Sequence, residues 1–135
     1  VRVGGLDARA VHVIDRYVSD EELDLAVAAM DLVCTLYPMH KASASIVIRA
    51  AAAGRMVLGS DRGWIGRTVR AHGLGRTTAL HSVGEVARAL AGALEAAETF
   101  EPGEPARAWA NGHTPERFAA CWTALLRERL AMMSP

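Results

Sequence analysis

Between Tyr37 and Ser45 the chain reads YPMHKASAS, a short polar loop that gathers an imidazole, an ammonium and two hydroxyls: His40, Lys41, Ser43 and Ser45. Lys41 is the only lysine of the chain. Ala42 and Ala44 alternate with the serines, so a ligand can approach the backbone closely. The loop runs into SIVIRAAAAG, whose pattern predicts a helix stopped by Gly54. The first N–H groups of a helix have no intrahelical acceptor and carry partial positive charge, which makes its N-terminus a seat for an anion. Arg49 lies one turn beyond Ser45 on the same helix face. These types at this spacing fit a pocket for a diphosphate. The residues also have a plainer use, with Ser43 or Ser45 capping the helix and Lys41 solvated.

Two further turns carry polar groups. In DRYVSDEE (15–22), Arg16 and Tyr17 could flank a planar base. GSDRGWIG (59–66) has glycines at 59, 63 and 66 but matches neither the dinucleotide fingerprint nor the P-loop. A tight turn is the expected use of those glycines, which leaves Asp61 and Arg62 free to face a ligand. The five histidines have no paired ligand spacing, so no metal site is expected. No nucleophile elbow is present.

The elements that must hold these turns alternate. VHVIDRYV (11–18) is β-branched and alternating, as a strand is. Ser19 and Glu22 form a capping box for a helix with Leu23, Ala26, Val27 and Met30 on its buried face. DLVCTLY (31–37) and RMVLGS (55–60) read as strands covered on both faces. Residues 63–72 read as a helix ended by Gly73, and GRTTAL (75–80) as an edge strand. Ser82 and Glu85 open another helix, with Val86, Leu90 and Leu94 pointing one way. EPGEPARAWANG (101–112) reads as a loop. Thr114 and Pro115 then start a final helix over about 114–133, with Phe118, Trp122, Leu125 and Leu126 on one side. Strand–helix alternation of this kind predicts a single α/β domain, Rossmann-like, with a parallel sheet and helices on both faces. Ligands on such sheets bind at the carboxyl ends of the strands.

Bulk composition narrows the classes. The chain has 135 residues, 51% of them hydrophobic, with 15 basic against 15 acidic side chains. That balance argues against a general nucleic-acid binder. Cys34 and Cys121 sit in apolar patterns and are expected as buried free thiols in a reducing, cytoplasmic setting. The tryptophans are expected in the core or at an interface. No signal peptide or membrane-spanning run is visible. Because the sequence opens without methionine, within what reads as an element, it is expected to be a piece of a longer protein.

The order of parts resembles the C-terminal domain of bacterial glycosyltransferases of family 4, enzymes with two Rossmann-like domains (the GT-B fold). The matching stretches are DRYVSDEELDLAVAAMDLV, YPMHKASASIVIRAAAAGRMVLGSDRGWIGRTV and HGLG, between about Val11 and Leu94. The resemblance implies a sugar moved from a nucleotide-diphosphate sugar to an acceptor, with the nucleotide held on this domain and no other cofactor. It implies that Arg16, Tyr17 and Val18 lie near the base. His40, Lys41, Ser43, Ala44, Ser45 and Arg49 would then meet the diphosphate and sugar. It also implies a preceding Rossmann-like domain, absent from this chain, and peripheral membrane association as an expectation for the full-length enzyme. The family's Glu-x7-Glu pair falls on Lys41 and Arg49, and an arginine cannot accept hydrogen bonds from a ribose. No catalytic base is therefore assigned. The alternative is a catalytically degenerate domain of the same kind that binds a nucleotide or a partner, while the basic loop argues against a receiver-like module.

Overall fold

The computed structural model describes residues 11–40 and 42–133. Helices and strands follow in the order α1 (Asp20–Ala28), β1 (Leu32–Thr35), α2 (Ser45–Ala52), β2 (Met56–Ser60), α3 (Gly63–His72), β3 (Gly75–Thr78), α4 (Val83–Ala97), α5 (Glu104–Asn111) and α6 (Pro115–Met133). The three strands form one parallel sheet in the order β1-β2-β3, with Leu32 beside Met56 and Val57 beside Gly75. The chain is α/β and Rossmann-like, as the alternation predicts.

Side-chain alternation along β2 divides the core. Val57 joins Val27, Val33, Val47, Ala50, Ile65, Val69, Leu74 and Ala106 in one cluster, under α1, α2, α3 and α5. Met56 and Leu58 point to the other face, where Ala93 of α4 covers them with Ala89, Leu90, Ala96 and Phe100 alongside. Every residue of β2 is buried, as a central strand between two helical layers must be.

Two glycines make the layers close. A Cβ on Gly66 would fall 2.1 Å from the Asp61 carbonyl oxygen, and one on Gly59 would fall 2.7 Å from Ile65 Cγ2. Gly63, at φ 67°, serves the turn as expected, whereas Gly59 and Gly66 serve packing and let α3 lie directly on the end of β2.

Residues 11–18 form no strand; Val13, Ile14 and Tyr17 are exposed. Alternation alone does not make a strand without a neighbour to complete its hydrogen bonds, and among the described residues β1 pairs only with β2. Met30 falls beyond α1 and is 40% exposed. The stretch 101–112 contains α5, not only a loop. Pro105 sits in its first turn, where a missing N–H costs nothing, and Ala106, Trp109 and Ala110 pack on the core. In α4 the buried centre is Ala93, with Leu94 exposed, because the small side chain lets the helix approach the sheet. Both cysteines are exposed. Desolvation nevertheless holds the Cys34 thiol above its ordinary pKa.

Helix α6 starts as predicted, Thr114 Oγ1 accepting from the Arg117 N–H at 3.3 Å. Its apolar side is left open: Phe118, Trp122, Leu125 and Leu126 are all at least half exposed. Among the described residues no helix is long and apolar enough to cross a membrane.

Substituting Gly66→Ala is expected to destabilise the fold by more than about 2 kcal/mol, since backbone must move to admit the methyl group. Truncation after Thr114 is expected to shift the urea midpoint only slightly. Chemical denaturation followed by circular dichroism checks both.

Candidate functional site

The carboxyl ends of all three strands lie at one edge of the sheet, and the loops leaving them carry the candidate residues. β1 and β2 each contribute a buried hydroxyl near that edge, Thr35 and Ser60, at 0% and 3% exposure. Among the described residues neither Oγ atom has a hydrogen-bond partner, an uncommon condition for a buried polar atom.

The loop after β1 is folded on itself. His40 Nε2 lies 3.1 Å from the Ser43 carbonyl oxygen, so Nε2 carries the proton and donates. The imidazole also meets the Tyr37 ring edge-on, at 5.4 Å between centroids. Lys41 lies outside the described residues. Helix α2 begins from Ala44, which is buried and offers no side-chain cap. Among the described residues neither Ser43 nor Ser45 caps the helix, and the first N–H groups of α2 have no intrahelical acceptor. By contrast, the Ser19 and Ser82 hydroxyls accept from the N–H groups of Glu22 and Glu85 at the starts of α1 and α4.

Arg49 is placed differently from the sequence expectation. Its guanidinium is bound by Asp20, Nη2 to Oδ1 at 2.5 Å, and by the Asp24 carboxylate through Nη1. These bonds clamp α1 to α2. The hydrogen bond to Asp24, with the charges of both carboxylates, holds the arginine pKa above its ordinary value. Ser45 and Arg49 share an apolar groove of about 600 Å³ with Leu25, Ile48 and His113.

Arg16 also has a carboxylate partner. It forms a bidentate pair with Glu22, at 2.7 and 3.0 Å, and donates to the Tyr17 carbonyl at 3.0 Å. The pair holds the segment before α1 in place while Tyr17 stands 89% exposed and Val18 is half-buried. A stacked base would therefore find Tyr17 accessible and the Arg16 guanidinium committed.

The cavity at the carboxyl edge itself is lined by Pro38, Ser60, Asp61, Arg62, Leu80 and His81, with a volume of about 100 Å³. Sequence reasoning reached Asp61 and Arg62 here. It missed Ser60 and His81, whose signal was available in the alternation of β2, which ends in a serine, and in the position of His81 just before a capping serine. The remaining histidines include two structural ones: His72 and His113 pack on Trp109, with centroids 5.3 and 4.2 Å away.

Glu22 takes its lowered pKa first from the Arg16 side chain, then from the Ser19 backbone N–H. A carboxyl depressed in the folded state contributes stability above its unfolded pKa and loses that contribution as pH falls through the folded value. Glu22→Gln is thus expected to lower the urea midpoint at pH 7 and to shrink the loss between pH 5 and pH 3. Arg49→Ala is expected to cost about 1 kcal/mol or less, because the pair is solvent-accessible and salt screens it. A double-mutant cycle with Asp24→Ala at low and high salt measures it.

No protein-family model, curated protein or solved structure matches the chain.

Proposed function

We propose that this chain is the donor-binding half of a glycosyltransferase that moves a sugar from a nucleotide-diphosphate sugar to an acceptor. The observation that carries the reading is the start of α2, at the carboxyl edge of the parallel sheet, with no side-chain cap. A helix end of this kind stabilises negative charge through open N–H groups and its dipole. In the proposed chemistry that charge develops on the departing diphosphate, so positioning and electrostatic stabilisation are the main tasks. His40, Lys41, Ser43, Ala44 and Ser45 would meet the diphosphate and sugar, with the base beside Tyr17. The roles come from the resemblance; the exposed loop and its uncapped helix support them.

Arg49 bears on a second reading. Its pairing with Asp20 and Asp24 leaves neither an acceptor for a ribose nor a free cation at the family's second glutamate position. That favours a domain that binds a nucleotide without turnover. A transfer assay on the chain joined to its expected preceding domain separates the two, because a binding domain would leave the donor sugar intact.

The isolated chain is expected to bind UDP or GDP at a Kd of about 1 mM, or ~4 kcal/mol. His40→Ala with Lys41→Ala should weaken binding at least tenfold, whereas Arg49→Ala should change it less than threefold. Calorimetry giving no binding by the wild type, or wild-type binding by the double variant, would overturn this placement.

A further inference from the structure

Helix α6 carries an apolar surface that the fold leaves uncovered. It runs for 19 residues, about 28 Å, and every residue from Pro115 to Met132 is exposed. Along it Pro115, Phe118, Trp122, Leu125, Arg129 and Met132 follow one another at alternating intervals of three and four. That is the spacing of a seam through which two helices pack side by side. Phe118 is 67% exposed, Trp122 52% and Leu125 50%. The Phe118 and Trp122 rings already meet edge-on, at 6.2 Å between centroids, so the centre of the seam is ordered before any partner arrives.

Charge decides what can cover it. Arg117 and Glu128 lie on one flank of the seam, about three turns apart. A second α6 laid antiparallel, with Trp122 of each copy against Leu125 of the other, brings Arg117 of each copy to Glu128 of the other. The same register sets Arg129, the charged member of the seam, over Phe118 of the second copy, where the ring face attracts a guanidinium. A parallel pair would instead enclose two Arg129 guanidinia side by side, a repulsive contact. Met132 of the second copy then comes beside Pro115, at an apolar groove whose wall includes Ile48, Pro115, Phe118 and Cys121. The exposed parts of the aromatic and aliphatic side chains along α6 amount to roughly 500 Å² per copy. A pair therefore removes on the order of 1,000 Å² from water, the low end of what a specific interface buries.

We propose that α6 is a dimerisation helix, through which two copies of this chain pair antiparallel about a two-fold axis with Trp122 against Leu125. One self-complementary patch then serves both copies, as closed symmetry requires. The inference does not depend on the nucleotide reading, since α6 carries none of the residues assigned there.

The test is sedimentation equilibrium of the whole chain over a range of concentrations in reducing buffer, which keeps Cys121 from cross-linking the copies. The expected result is a reversible monomer–dimer equilibrium with a Kd of about 10 μM. Trp122→Ala should weaken it at least tenfold with the helical circular dichroism retained, since alanine is the stronger helix former. Arg117→Glu and Glu128→Arg should each weaken it about threefold or more, and the two together should restore the wild-type affinity. Each single exchange favours the isolated helix, with acid nearer its start or base nearer its end, so the weakening reports the contact between copies. A monomer at every concentration would overturn the dimer, as would a dimer that survives Trp122→Ala or truncation after Thr114. A double exchange that fails to restore affinity would overturn the antiparallel register. A monomeric wild type that cosediments with phosphatidylcholine–phosphatidylserine vesicles, where Trp122→Ala does not, would give the face to a lipid surface. Conversion to a monomer with protected α6 amides, on joining the chain to its expected preceding domain, would give the face to that domain. Either result overturns the dimer.

Discussion

The close approach of α3 to the end of β2 is the constraint on which the rest of this fold depends. Gly59 and Gly66 remove the two methyl groups that would hold the layers apart, at 2.7 and 2.1 Å from atoms already in place. With α3 seated there, Ile65 and Val69 complete the core under β2, and the turn at Asp61 and Arg62 is forced to the carboxyl edge. Arg70 then reaches back to the Asp61 carbonyl. A parallel sheet needs cover on both faces, and α4 supplies the second cover through a run of alanines. The geometry of the edge is thus a consequence of packing deeper in the domain.

Much of this was legible in the sequence because local rules and global fold agree. The capping serines, the glycine stops at 54 and 73 and the apolar run of β2 all say the same thing at both levels. The failures have physical causes. Residues 11–18 carry a strand pattern, but pairing is a property of two segments and one sequence window shows only one. Two prolines hid α5, although one of them occupies the first turn where helices accept it. Leu94 was favoured over Ala93 by hydrophobicity, while the sheet selected the smaller side chain. Among the described residues β1 pairs with β2 alone and is exposed at Cys34, so the expected cover on both faces holds for β2 and not for β1.

The candidate site was legible in part. Position along an α/β chain points to the carboxyl edge, and the composition of YPMHKASAS points to an anion there. What spacing could not reveal was competition for the charged groups. Arg49 lies within reach of two carboxylates on α1, and Arg16 within reach of Glu22, so both are engaged inside the protein. Helix phase explains the first case: Asp20, Asp24 and Arg49 face one another across the α1–α2 seam. Among the described residues, the unpartnered groups near the edge include the Thr35 and Ser60 hydroxyls and the first N–H groups of α2. These suit charge stabilisation by pre-positioned dipoles.

On the proposed function, ligands meet this chain at the carboxyl edge of its sheet. Hydrogen–deuterium exchange with and without saturating UDP tests it most directly. Slowed exchange is expected in the segment between Leu36 and Ile46, with helices α5 and α6 unchanged. Protection confined to residues 112–133, or no protection anywhere despite measured binding, would contradict it.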